Sequence, residues 1–563
     1  MKKIINLFLV VLICVAYYGL IDKSVNREFD FNKVVFENEC FLSEKNGIVD
    51  ITKNINELEK YQVVIEFIDK YEVAAKPDKE ITMDEAKEYI KNNRNKTKEF
   101  YSEYNNKLCK ELMINDLSDD IEISKYSPFV FVNINDNSKN DMILSKIDDL
   151  AKSKEIKKIY VKTVENWKNE IGHDVFFEVN QGGGGGSSPT YTGEGVVMGI
   201  LDPGIVIASN PNFADVNLTI RDEWYYIESE SEHATTVASI AGGANGIAPG
   251  ADILSVEVCA GLSSEVEWLL DNDVNVVNMS FVDSTTSSSL GNYTSNAAYI
   301  DSIVRNNYVT FVGSAGNRGD GDAYITSPKT GYNVIAVGST NADGTVLSSF
   351  SSFKEKFTVS KPNLVARGED YTIAEIGDQG SGTSYASPVV TGTIALMMEK
   401  RPYLMLYPEL IMPIITASAD NIEGYSSKNS DGFNDKVGAG FINIQAALDN
   451  VYNTTNFIYT TQDESGIFVS EKLVTIGANG TIKISFASLV NTDGSAETNK
   501  VTDYDLRLYT SAGSYIAGIS SLSNTELLEY TSQSGGNYII KIYLYSAKKT
   551  ELTDYCGYAY KIS

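Results

Sequence analysis

Hydrophobic and polar positions follow a different rhythm in each third of the chain. Between residues 61 and 161, short apolar runs alternate with strongly charged stretches. Tyr61–Ile68, Ser127–Ile134 and Ile156–Val161 read as strands. The charged region from about Thr82 to Leu112 and the segment Met142–Ala151 read as helices, so an α+β unit is expected here. From residue 191 the pattern changes to apolar runs without alternation. Val196–Leu201 is continuously apolar, as a parallel strand covered on both faces should be. Val274–Met279 and the extended run Tyr308–Phe311 repeat the signal. Helices are expected from His233 through Val237, Ala238 and Ile240, over the amphipathic Glu265–Leu270, and from Ser384 through Val389, Ile394 and Met397. Pro388 is tolerated in that last helix because its first turn needs no donor. After about Thr455 the rhythm becomes strict alternation. Tyr504, Leu506 and Leu508 share one face of a strand, and Gly536–Tyr545 is another, separated by Gly/Ser turns as in a β-sandwich.

These rhythms divide the chain into an apolar leader over residues 1–22, an α+β region over 23–170, a glycine-rich linker over 171–190, an α/β domain over 191–452 and a C-terminal β-sandwich over 453–563. The leader places Lys2 and Lys3 before the apolar stretch Ile4–Ile21, the form of an export signal. The stretch is close to the length that spans a bilayer, so an uncleaved anchor is the alternative. The run Gly182–Gly186 has no side chains to pack and reads as a flexible tether.

Composition narrows the function classes. A length of 563 residues calls for several domains, and 43% apolar residues with 34 Tyr and 22 Phe are enough to fill their cores. The formal charge of −28 argues against nucleic acid as a partner, since phosphate binding needs clustered Lys and Arg. The 5 cysteines are scattered, with Cys14 in the leader, Cys40 and Cys109 in the α+β region, and Cys259 and Cys556 far apart. They form neither a disulfide framework nor a zinc site.

The chemistry lies in short segments at the ends of expected elements. Gly199-Ile200-Leu201-Asp202 ends an apolar strand on an acid. Glu232-His233-Ala234-Thr235 carries one of only 2 histidines, and Gly382-Thr383-Ser384-Tyr385-Ala386-Ser387-Pro388 presents a serine at the start of a helix. A serine hydroxyl becomes a useful nucleophile when an imidazole takes its proton, and the imidazole needs a carboxylate to fix its tautomer. The order Asp202, His233, Ser384 is the subtilisin order. The other histidine, His173, lies away from every motif and is expected to face solvent.

On these motifs the chain resembles the subtilisin-like serine proteases. Asn333–Ser339, Lys361-Pro362-Asn363-Leu364-Val365-Ala366 and Gly438-Ala439-Gly440-Phe441-Ile442-Asn443 are similar to the family framework. The resemblance implies a parallel-sheet α/β core flanked by helices and hydrolysis of protein or peptide substrates. It also implies that Asn317, in Val312-Gly313-Ser314-Ala315-Gly316-Asn317, donates its amide to the oxyanion. The α+β region is similar to the chaperone-inhibitor propeptides of the family, which implies self-processing, with a junction expected near Glu170-Ile171. The tail resembles pre-peptidase C-terminal domains.

The sequence also departs from the family. Ala234 and Thr236 stand where glycine and often a second histidine are usual, and Pro203 follows the acid. Phe281-Val282-Asp283 replaces the small residues of a substrate-cleft wall, so that wall is expected to be reshaped. The short connection from the His233 helix to Gly246-Ile247-Ala248-Pro249 lacks the loop that builds a calcium site in many relatives, so no metal and no cofactor is expected. The alternative to a working enzyme is a pseudoprotease serving regulation or binding.

Overall fold

The computed structural model describes residues 34–37, 44–45, 48–49, 60–135, 139–163, 191–221, 230–258, 262–282, 290–319, 321–356, 359–373, 378–460, 466–490, 501–546 and 553–563. The leader, the glycine run, the expected junction near Glu170 and His173 all lie outside them. The chain divides into two compact units. One comprises residues 1–70, 100–166 and 286–289, and the other residues 71–99, 167–285 and 290–563. This division differs from the linear one drawn from the sequence, because a piece of the expected propeptide belongs to the second unit.

The first unit holds a five-stranded sheet of β1 (Val34–Phe36), β2 (Tyr61–Phe67), β3 (Ile121–Ile123), β4 (Phe129–Ile134) and β5 (Ile156–Thr163), in the order β1-β5-β2-β4-β3. All neighbours are antiparallel except β1 and β5. Val63, Ile65, Val130 and Val132 alternate onto one face, where the helix Asn140–Ala151 lays Ile143, Leu144 and Ile147.

The second unit is built on a seven-stranded sheet of β6 (Val197–Asp202), β7 (Leu218–Ile220), β8 (Asp252–Glu257), β9 (Val276–Met279), β10 (Thr310–Ser314), β11 (Val334–Thr340) and β12 (Leu364–Arg367), ordered β12-β11-β10-β9-β6-β8-β7. Every pair is parallel. Helices α1 (Glu232–Gly242), α2 (Ser263–Asp271), α3 (Ser295–Asn307), α4 (Thr383–Lys400) and α5 (Pro408–Ser418) accompany it. The small side chains of α1 and α4 let these two helices share one core with Met198, Ile200 and Val312.

The tail forms the expected β-sandwich. Strands Thr454–Thr460, Ile467–Ile476, Gly480–Leu489, Asp503–Thr510, Tyr515–Gly518, Thr525–Ser532, Gly536–Ser546 and Thr553–Ile562 make two antiparallel four-stranded sheets. Tyr504, Leu506 and Leu508 meet Ile540, Ile542 and Phe486 between them. The sandwich is tied to the rest of its unit. A Cβ on Gly557 would lie 2.6 Å from the Glu409 carbonyl, so only glycine lets this strand approach α5. Asn333 exchanges side-chain hydrogen bonds with both backbone groups of Val490, and the Lys483 ammonium donates to the carbonyls of Ala419 and Ala439.

Candidate active site

In a parallel sheet all carboxyl ends point one way, and loops leaving them converge. Asp202 is the last residue of β6 and is fully buried. His233 is the second residue of α1, whose first turn is capped by the Ser231 hydroxyl accepting from Ala234 N. The two side chains meet, with His233 Nδ1 2.6 Å from Asp202 Oδ1. The imidazole is 28% exposed while the carboxylate is sealed, so the pair has a wet face and a dry one. Asp202 Oδ2 is buried without a hydrogen-bond partner. Burial pushes this carboxyl above its ordinary range, and the attraction of His233 pulls it back down. A carboxylate left with one close partner is strongly biased toward keeping that partner protonated at Nδ1.

Ser384 is the second residue of α4 and is half-buried. Its first turn is held on two sides. Ser280, just past β9, donates its hydroxyl to the Ser384 carbonyl at 2.9 Å and lies 2.9 Å from the Ser387 hydroxyl. Asn278, within β9, donates to the Ser280 hydroxyl at 2.8 Å. On the other side Thr383 donates its backbone N–H (2.9 Å) and its hydroxyl (2.8 Å) to Asn317 Oδ1. The same Thr383 hydroxyl accepts from Gly316 N. This network fixes the amide of Asn317, which is exposed, so that Nδ2 is the group left to point outward. Gly316 sits at φ 112°, where a side chain is strained, and turns the chain after β10 so that Asn317 reaches Thr383.

His233 is carried by α1 and Thr383 and Ser384 by α4, and these two helices pack together, while Asp202 ends β6 and Asn317 follows β10. The Tyr385 ring, next to Ser384, lies 5.7 Å from the His233 ring in a tilted arrangement. Ser280, Thr383 and Tyr385 were not singled out from the sequence. Only their position beside the motifs hinted at them, since their partners come from other elements. Phe281, expected in the cleft wall, is among the described residues. Its ring is 4% exposed and faces the Lys329 ammonium at 5.1 Å, and its carbonyl accepts from that ammonium. Apolar area drives the ring inward, away from the surface. Asp283 lies outside the described residues. Among the described residues, no group of three or more His, Cys, Asp or Glu is placed to hold a metal ion. The thiols of Cys109 and Cys556 are buried, and burial pushes both upward (Cys109 to about 11), away from reactivity.

Part of the chain matches known proteins. Residues 193–440 match the model of the subtilase family, Peptidase_S8. The chain is similar to subtilisin NAT of Bacillus subtilis subsp. natto, 28% identical over 285 residues covering 46% of this chain and 67% of the relative. It is equally similar to a subtilisin of Bacillus pumilus, 28% identical over 46% of this chain and 93% of the relative. Among solved structures, the prenylagaramide maturation protease PagA aligns at 26% identity with a TM-score of 0.38, over 45% of this chain and 93% of that one. Residues 193–440 thus form a domain of the subtilase type, the part of the chain that the family model matches.

Proposed function

We propose that the protein is an exported, self-processing serine endopeptidase in which Asp202, His233 and Ser384 form the triad and Asn317 contributes to the oxyanion hole. The observation that carries this reading is the 2.6 Å contact between Asp202 Oδ1 and His233 Nδ1, with His233 on a helix packed against the one whose first turn holds Ser384. With Nδ1–H given to Asp202, the lone pair on Nε2 is the basic one and takes the Ser384 proton as Oγ attacks the substrate carbonyl. The imidazolium formed is stabilised by a buried carboxylate, where charge interactions are stronger than in water. The oxyanion receives Asn317 Nδ2 and the Ser384 backbone N–H at the α4 N-terminus, which favours negative charge. His233 then returns the proton to the leaving amine, and water repeats the sequence on the acyl-enzyme.

Substrates are proteins or peptides, including the chain's own N-terminal region, which acts as an intramolecular chaperone and inhibitor before it is cut. Export follows from the leader. The test is purification of the parent protein and Ser384→Ala side by side. The parent should split into two pieces and hydrolyse peptides, and the variant should do neither. An uncut, inactive parent would overturn the reading.

A further inference from the structure

Ser384 is followed on α4 by Tyr385, which takes no part in the proton transfers. Tyr385 is 7% exposed, and its ring stands 5.7 Å from the His233 imidazole, tilted by 39°. A triad imidazole must do two things at once, hold the carboxylate through Nδ1 and aim Nε2 at the serine oxygen. The 2.6 Å contact with Asp202 Oδ1 fixes the first. It does not fix the second, because the outer torsion of a histidine side chain has a broad minimum and one hydrogen bond constrains one atom rather than the ring plane. A second restraint has to come from a surface laid against the ring.

Tyr385 is itself braced. The strands Tyr371–Ile373 and Asp378–Gly380 pair antiparallel, with Tyr371 opposite Gly380. The Tyr371 ring meets the Tyr385 ring at 6.0 Å. A Cβ on Gly380 would stand 2.8 Å from both Cε2 and the hydroxyl oxygen of Tyr385, so the absence of a side chain lets this strand close on the ring. The Arg367 guanidinium stands over the Tyr371 ring at 4.6 Å and donates to the carbonyls of Glu369 and Asp370. Gly382 N donates to Gly368 O at 2.8 Å, which ties the same segment to the residue two before Ser384. From the site outward the order is His233, Tyr385, Tyr371, Arg367.

We infer that Tyr385 is a positioning residue for the reaction. Its ring is the second restraint on the His233 imidazole, and the hairpin of Tyr371 and Gly380 backs that ring. Because Tyr385 adjoins Ser384, one helical turn sets both the nucleophile and the orientation of its base. An imidazolium formed during turnover also gains the attraction of an aromatic ring for a cation. The inference rests on His233 as the base, so its test includes a readout that needs no activity.

Two variants disturb the ring by different routes. Tyr385→Leu removes it, and Gly380→Ala pushes on it from the hairpin with α4 unchanged. Each should lower kcat by about 10–10²-fold with KM within about twofold of the parent, the cost of a base misplaced by about 1 Å. Tyr385→Phe keeps the ring and should recover most of the loss. An unchanged kcat in Tyr385→Leu, or a Phe variant as slow as the Leu one, would overturn the inference. The second readout uses Ser384→Ala as background, which separates this inference from the triad assignment. With only 2 histidines in the chain, the His233 imidazole can be followed by carbon–proton NMR and identified by its loss in His233→Ala. It should give one sharp set of signals with Tyr385 or Phe, and broadened or doubled signals with Leu. The same sharp set in the Leu variant would overturn the positioning role, even in a protein without peptidase activity. Should Tyr385→Leu fail to fold, Gly380→Ala carries both measurements, and an unchanged kcat with unchanged signals there would overturn the inference.

Discussion

At the carboxyl ends of the parallel strands, polar groups are left partly open: His233 at 28% exposure, Ser384 half-buried, Asn317 exposed. At the amino ends, Lys76, Glu409 and Arg94 are closed off and fully partnered. Both edges use helix termini, with opposite polarity. The N-termini of α1 and α4 bring donors and positive potential to the place where, on the proposed mechanism, negative charge develops. The C-termini of α2 and α3 offer carbonyls to a permanent cation. A reacting edge must keep unfilled valences, whereas a structural edge is most stable when every one is filled. Substitutions at the two edges should therefore fail differently, the first losing turnover with the fold intact and the second losing stability before chemistry.

The largest effect is expected from Ser384→Ala, a fall in turnover on the order of 10⁶, the size seen when a triad serine is removed from a related enzyme. Its denaturant midpoint should match the parent, and a large drop in that midpoint would blur the contrast between the edges. Asn317→Ala should lose about 10²–10³ in kcat. An unchanged kcat in steady-state assays would assign the oxyanion to another donor. Lys76→Met leaves the Glu409 anion buried and unpaired, which costs about 3–5 kcal/mol in denaturant unfolding. Turnover per folded molecule should hold, and a selective loss of kcat would mean that the amino edge participates in catalysis.

The smallest effect concerns pH. Burial holds the Lys483 ammonium down to about 7 in the folded protein, against an ordinary value of about 10.4 when unfolded. Below the folded value both states carry the proton and the full cost of burying the charge is present. Between the two values the unfolded chain binds more protons, so this residue makes stability rise with pH. Lys483→Met should remove that rise between pH 7.5 and 9.5. Parallel pH profiles of parent and variant would show that Lys483 is not the group responsible.

Much of this was legible in the residues. Val196–Leu201 and Ser384–Met397 became the expected strand and helix because uninterrupted apolar runs leave little choice of environment. Asp202 and His233 could be paired from sequence because each stands at an element end and supplies a type of group the other needs. The roles of Ser280 and Thr383 were hidden, since a hydroxyl shows its purpose only through partners such as the Ser384 carbonyl and the Asn317 amide. The charged region from about Thr82 was legible as a helix, and its buried Ala86, Ile90 and Arg94 stripe shows only in the structure. Nothing in that stripe said that the face belongs with the peptidase elements, because the carbonyls it meets, at Leu270, Val274 and Asn307, carry no side-chain signature. The partner of Phe281 was hidden for a similar reason, as Lys329 is distant in sequence.

The most direct test of the central claim is to label the full-length folded protein with a phosphonate-type serine-directed inhibitor and map the adduct by mass spectrometry. The expected result is one adduct on the peptide containing Ser384, lost when His233 is changed to alanine. Absence of any adduct on an active preparation, or an adduct on a different serine, would contradict the assignment of Ser384 as a nucleophile activated by the Asp202–His233 pair.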